Sequence, residues 1–239
     1  MSLAPKIVKF GLAGLLLLPL LIATPGHKSA AKSYDRAGQF DYYALVLSWS
    51  PSYCASRRHG KRDPQCNGGR PYAFVMHGLW PQYNRGYPKY CRMKGRAWVP
   101  KKVISAMLDI MPSPRLIIHE YKKHGTCAGL TAQAYYKQAR SIFNKVTIPE
   151  RYQHTSKTLL VSPREIEQDF LKSNPKMTAD MISVSCSRRG RLRELRICFT
   201  KSGELKKCGI NENQKRLCRQ PKIALPPVRS IRRDPTQPL

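Results

Sequence analysis

Eight cysteines stand in the 239-residue chain: Cys54, Cys66, Cys91, Cys127, Cys186, Cys198, Cys208 and Cys218. Their state decides what can fold. An even number suits complete pairing into disulfides wherever the compartment is oxidising. Zinc is the competing use, but no C-x-x-C pair supplies the usual close-spaced ligands. Eight cysteines pair in many ways, and spacing does not choose among them.

The N-terminus indicates the compartment. Lys6 and Lys9 precede the Leu-rich apolar run Phe10 to Ala23, and Ser29 and Ala31 follow with A-x-A-like spacing. A basic start, an apolar middle and a small-residue end predict a secretory signal peptide over residues 1–31. A membrane anchor competes, but the run falls short of the roughly 20 residues that span a bilayer, and Pro19 interrupts it. The expected destination is therefore periplasmic or secreted.

Lys and Arg number 43 against 14 Asp and Glu, a formal charge of +29; losing Lys6, Lys9 and Lys28 with the signal leaves +26. Such a surface draws polyanions at long range. A surface built only for solubility mixes both signs. Charge alone leaves RNA, DNA, anionic lipid and acidic polysaccharide open as partners.

Residues 34–220 carry no Gly/Ser linker or repeat and read as one domain. Phe40 to Trp49 reads as a buried strand, and Tyr72 to Met76 as a second strand leading into His77. Arg57 to Arg70 and Asn84 to Pro100 read as loops. Apolar positions at Val103, Ile104, Met107, Leu108 and Met111 predict a helix over 101–111. Leu116 to His124 and Thr131 to Phe143 also read as helices, the latter capped by Thr131. Ser162-Pro163 opens a helix to about Lys172, with Pro in the first turn and Glu165 and Glu167 near the positive dipole end, ended by Asn174-Pro175. Met181 to Cys186 and Leu192 to Thr200 read as paired strands. Residues 221–239, rich in Pro and Arg, are expected to be a disordered basic tail. Strands and helices without a βαβ rhythm predict an α+β fold.

Six histidines are present, and three gather in two short segments. His27 leaves with the signal, while His59 and His154 sit in polar surroundings. In IIHEYKKHGTC (Ile117 to Cys127), read as a helix, His119 and Lys123 are four apart, as are Glu120 and His124. The two rows are adjacent, about 100° apart, so all four side chains can face one cleft. That set suits neither an apolar core nor a solvated charge face. In FVMHGLWP (Phe74 to Pro81), Gly78 permits close approach beside His77, and Trp80 offers a flat face to a base.

These residue types suit RNA cleavage. RNA supplies its own nucleophile, the 2′-OH. The protein has to supply a base, an acid for the departing 5′-oxygen, and donors around a phosphorane. Histidines near neutral pKa do the first two. Few acids argue against a two-metal nuclease, and no metal or cofactor is expected.

VMHGLWP (Val75 to Pro81) and HEYKKHGTC (His119 to Cys127) closely resemble the two signature blocks of the ribonuclease T2 family, in the same order and with similar separation. FDYYALVLSWSPSYC (Phe40 to Cys54), the Asn174-Pro175 region, ISVSC and LRELRICF extend the likeness over about residues 38–210. The resemblance implies a central antiparallel β-sheet flanked by helices and stapled by disulfides. It implies a monomeric, metal-independent endoribonuclease that makes 2′,3′-cyclic phosphate ends with little base specificity. Carried over by motif, His124 is the general base and His77 the general acid. His119 binds phosphate, Glu120 and Lys123 stabilise the transition state, and Trp80 stacks on a base. The resemblance also implies Cys91–Cys127, Cys186–Cys218, Cys198–Cys208 and Cys54–Cys66. Many members carry Asp where this chain has Gln82, which leaves base selection open. Tyr121 replaces a commoner Trp. The basic loop and tail are not part of the family pattern; they suit RNA outside the cleavage site or an anionic cell surface. The alternative reading is a non-catalytic polyanion-binding protein on the same fold, against which the intact His77, His119, Glu120, Lys123 and His124 set argues.

Overall fold

A computed structural model describes Met1 and residues 35–56 and 63–229. The chain divides into two units, Met1–Ser33 and Tyr34–Leu239, and only the second is described below. The expected signal segment after Met1, residues 57–62 of the basic loop and residues 230–239 of the tail lie outside the described residues. Among the described residues, no helix is long and apolar enough to cross a membrane.

Among the described residues, six strands and seven α-helices form in chain order: β1 (Tyr42–Trp49), α1 (Ser50–Ser56), α2 (Pro64–Asn67), β2 (Phe74–Gln82), α3 (Lys101–Ser105), α4 (Pro114–Lys123), α5 (Ala132–Phe143), β3 (Leu159–Val161), α6 (Pro163–Ser173), β4 (Ile182–Cys186), β5 (Leu192–Phe199), α7 (Gln214–Leu217) and β6 (Ile223–Leu225). Four strands pair in the order β2-β1-β5-β4, and each neighbouring pair is antiparallel. The architecture is α+β. Four disulfides close: Cys54–Cys66, Cys91–Cys127, Cys186–Cys218 and Cys198–Cys208.

One face of this sheet makes the core. Tyr43, Leu45, Leu47 and Trp49 alternate inward from β1, joined by Leu195, Ile197 and Phe199 of β5 and by Ile182 and Val184 of β4. They meet Ile117 and Tyr121 of α4, Tyr135, Tyr136, Ala139 and Ile142 of α5, and Ile166 and Phe170 of α6. The other face is carpeted with short side chains, among them Ala44, Val46, Ser48, Ser183 and Ser185. It is the face that carries the candidate site.

β2 is longer than its sequence suggests. Gly78 and Pro81 read as breakers, yet the strand continues through both to Gln82. Pro81 is tolerated because β2 is an edge strand and proline lacks only the outward donor there. The register shifts where Val46 faces Gly78 and Leu47 faces Met76, so His77 has no partner on β1. A bulge of this kind re-aims side chains. Phe74 and Met76 point into the core before it and Leu79 does so after it, which leaves His77 and Trp80 together outside.

Three other expectations are corrected. The helix expected over 101–111 runs only from Lys101 to Ser105; Pro112 disfavours helix at the preceding residue, and Met107 and Met111 are buried from turns instead. The loop expected over 57–70 contains the one-turn helix α2, capped by Asp63 with Pro64 in the first turn. The tail expected from Pro221 begins as structure: β6 pairs with β3, Ile223 and Leu225 are fully buried, and the Trp49 Nε1–H donates to the Pro226 carbonyl at 3.1 Å.

Candidate active site

The helix expected over 116–124 is α4, started by the Ser113 side chain accepting from the Leu116 N–H, with Pro114 in the first turn. Fully burying Ile117 contributes about 1.5–3 kcal/mol. The buried Tyr121 donates to the Leu130 carbonyl at 3.0 Å. These contacts set the helix's rotation, and Glu120 is thereby turned toward β2. His124 caps the C-terminus of α4. Just beyond it, Gly125 fits where a Cβ would lie 2.4 Å from the Tyr121 ring. Tyr90 N–H donates to the Lys123 carbonyl at 2.8 Å, and Cys91–Cys127 ties the same loop to this helix end.

Trp80 joins the two segments. Its Nε1–H donates to Glu120 Oε2 at 2.6 Å. Its ring stacks on His124 with centroids 4.8 Å apart and planes 16° apart, and meets His77 edge-on at 5.3 Å. Arg196 lies over the same ring at 5.2 Å. The space that lets Glu120 reach Trp80 is Gly78, whose absent Cβ would fall 2.3 Å from Glu120 Oε2 and 2.6 Å from Trp80 Nε1.

His77 lies between two carboxylates, Nδ1 at 2.9 Å from Glu194 Oε1 and Nε2 at 3.6 Å from Glu120 Oε1. Burial pushes the imidazole toward its neutral form, but the hydrogen bond to Glu194 and the charges of Glu120 and Glu194 outweigh it, so His77 titrates above its ordinary value. His124 behaves oppositely. It is 1% exposed, and burial, with Lys123, His77, His119 and Arg196 around it, lowers its pKa to about 3. Burial likewise raises Glu120, against the pull of His77, Trp80, His119 and Lys123. Both ring nitrogens of His124 are buried without a hydrogen-bond partner; such groups in a native fold call for an explanation.

Glu120, Lys123, His124, His77 and Trp80 therefore converge. His119 does not join them: it is exposed on α4 and acts on Glu120 and His124 through its charge from the rim. A cleft of about 390 Å³ opens between Trp80, Gln82, Tyr87, Lys123, His124, Arg196, Asn211, Arg216 and Leu217. Gln82 is buried, and its Oε1 accepts from Asn211 Nδ2 at 3.1 Å, which turns its amide nitrogen toward other acceptors. Among the described residues, no group of three or more His, Cys, Asp or Glu side chains is placed to hold a metal ion.

Glu194, Arg196, Asn211 and Arg216 were not anticipated as site residues. A signal for the first two exists in LRELRICF: alternation sets Glu194 and Arg196 on the face opposite Leu195, Ile197 and Phe199. An acid on a buried strand is conspicuous in a chain with 14 acids.

An antiparallel sheet with helices on one face and a histidine–carboxylate–lysine cleft on the other, braced by four disulfides, defines a disulfide-stapled α+β protein equipped for acid–base chemistry on an anionic substrate. The sequence pattern of the ribonuclease T2 family matches residues 40–208. A protein of Aeromonas hydrophila named ribonuclease is 36% identical over 217 residues, covering 89% of this chain and 97% of its own. Among solved structures, RNase NT in complex with 5′-AMP aligns with a TM-score of 0.57 at 25% identity, over 79% of this chain and 99% of its own. An RNase-related protein from Calystegia sepium shares the fold, with a TM-score of 0.60 at 20% identity over 80% of this chain and 99% of its own. The chain belongs to the ribonuclease T2 family. Asn211, Arg216 and Leu217, which close one wall of the cleft, lie beyond the matched residues.

Proposed function

We propose that the chain is an exported, metal-independent endoribonuclease that cleaves single-stranded RNA by attack of the 2′-OH, leaving 2′,3′-cyclic phosphate ends. The observation that carries this reading is the placement of two histidines against one indole: His77 meets Trp80 edge-on between two carboxylates, and His124 is buried beneath its face. Environments that drive two groups apart assign the acid and the base. His77, held protonated between Glu120 and Glu194, is the general acid for the departing 5′-oxygen. His124, held neutral, is the general base for the 2′-OH, and its unpartnered nitrogens are free to accept that proton.

Lys123 and Glu120 flank the phosphorane, whose growing charge is met by the ammonium. His119 meets the phosphate at the rim. Trp80 stacks on His124, and its indole is the flat surface offered to a base. Gln82 lines the cleft where a base would sit, its side-chain oxygen held by Asn211.

Digestion of RNA by purified, oxidised protein in EDTA tests the proposal. Fragments ending in 2′,3′-cyclic phosphate, with DNA left intact, are expected. Salt-sensitive RNA binding without cleavage, or loss of cleavage on adding EDTA, overturns it. Separately, His77→Ala and His124→Ala each lower the rate by about 10²-fold or more.

A further inference from the structure

Glu194 and His77 stand on strands that are not neighbours. β1 runs between β2 and β5, and strands lie about 4.8 Å apart, so their backbones are separated by roughly 10 Å. The side chains bridge this gap because β1 is low there. Ser48 lies opposite Glu194, and Val46 opposite Arg196 and Gly78. The bulge at His77 completes the reach, and Nδ1 arrives 2.9 Å from Glu194 Oε1.

Glu194 is itself fixed. Its side chain is 8% exposed, and Oε2 lies 3.5 Å from Arg196 Nη2, while Arg196 Nη1 lies 3.6 Å from Glu212 Oε1. The other oxygen of Glu212 accepts a short hydrogen bond from the Tyr42 hydroxyl. The carboxylate facing His77 is thus the end of a buried chain of alternating charges. The other charged and titratable groups around the His77 ring are Glu120 and Lys123 of α4, with His119 on the rim and His124 beyond Trp80.

We propose that Glu194 is the positioning residue of His77: it accepts a hydrogen bond from Nδ1–H, fixes the ring plane and tautomer, and leaves Nε2 as the nitrogen that meets the reacting phosphate. This rests on the ribonuclease reading above. The Nε2 proton passes to the 5′-oxygen as the P–O5′ bond breaks. The Nδ1 proton stays between the ring and Glu194, which remains ionised throughout.

Glu194→Gln keeps the shape and an acceptor but removes the charge. With RNA or a dinucleotide, kcat is expected to fall by about 10- to 100-fold with KM within about twofold of wild type, and the alkaline limb of the pH–rate profile to move to lower pH. With uridine 3′-(4-nitrophenyl phosphate), whose leaving group needs no proton, the loss shrinks to less than about threefold. A residue serving only the fold would depress both substrates alike and leave the limb in place; either result overturns the proposal. If Glu194→Gln does not fold, ¹⁵N NMR of the wild-type imidazoles decides instead, with His77→Asn assigning the signal. Neutral His77 protonated on Nδ1 is expected, and the Nε2–H tautomer overturns the inference. That measurement needs no turnover, so an inactive wild-type protein would refute the ribonuclease reading alone.

Discussion

The Cβ of an alanine at position 78 would lie 2.3 Å from the Glu120 carboxylate. Glu120 and Trp80 hydrogen-bond through the space that Gly78 leaves open, on a helix and a strand that are distant in sequence. Gly78→Ala therefore separates the pair. A rate loss of about 10²-fold is expected, since displacements near 1 Å cost that much, together with a stability loss of about 1–3 kcal/mol from overpacking. Steady-state kinetics beside a urea melt measures both, and wild-type kinetics for this variant would contradict the geometry.

The two histidines predict the shape of the pH–rate profile. The proposed base works only when neutral, so the acid limb should follow His124, whose pKa is lowered to about 3. The proposed acid works only when protonated, so the alkaline limb should follow His77, raised above its usual value. Cleavage of a dinucleotide should persist well below pH 6.5 and fall only above it. A narrow profile with both limbs at the ordinary histidine value would refute the assignment.

His124 also makes the fold acid-sensitive. The unfolded chain takes up a proton near the ordinary histidine pKa of about 6.5, whereas the folded chain does so only near 3. Stability from this residue is complete above the unfolded value and is lost as pH falls from there toward 3. His124→Gln should lose less stability than wild type between pH 7 and 4.5, as read by urea unfolding at each pH; parallel losses in the two proteins would show that His124 has no such role.

The Cys91–Cys127 bridge ties the loop before it to the end of α4, with a sequence separation of 36. Replacing both cysteines by serine should cost about 4 kcal/mol in the chain-entropy picture. Because the bridge lies three residues from His124, activity on warming should fail before the bulk of the fold unfolds. Coincident loss of activity and of far-UV signal would place the bridge's role in the whole fold instead.

Truncation separates the two parts of the C-terminus. A chain ending at Arg229 keeps β6 whole. One ending at Gln220 loses the buried Ile223 and Leu225, about 1.5–3 kcal/mol each, and should melt far lower. Equal melting of the two would remove β6 from the core.

Helical periodicity and start signals made α4, α5 and α6 readable, while the reciprocal capping of Ser162 and Glu165 emerged only in the structure. Helical spacing also brought Glu120, Lys123 and His124 to one side, because neighbours three and four apart on a helix are settled locally. His119 obeys the same spacing but sits where the helix turns to solvent, which only packing decides. Glu194 was legible as an acid on a buried strand, but its partner was not, for a different reason. Alternation tells which residues of a strand share a face, but not which strand lies across from it. β2 beyond His77 was missed because Gly78 and Pro81 weaken a strand anywhere except at an edge with a bulge.

That bulge has a further consequence. Counted without His77, β2 alternates without interruption: Phe74 inward, Val75 outward, Met76 inward, Gly78 outward, Leu79 inward, Trp80 outward, with every other residue of this stretch matched to β1. His77 is an insertion in the parity of the strand, and the sheet would stay in frame if it were deleted. The residue on which the proposed chemistry depends most is the one that sheet pairing needs least.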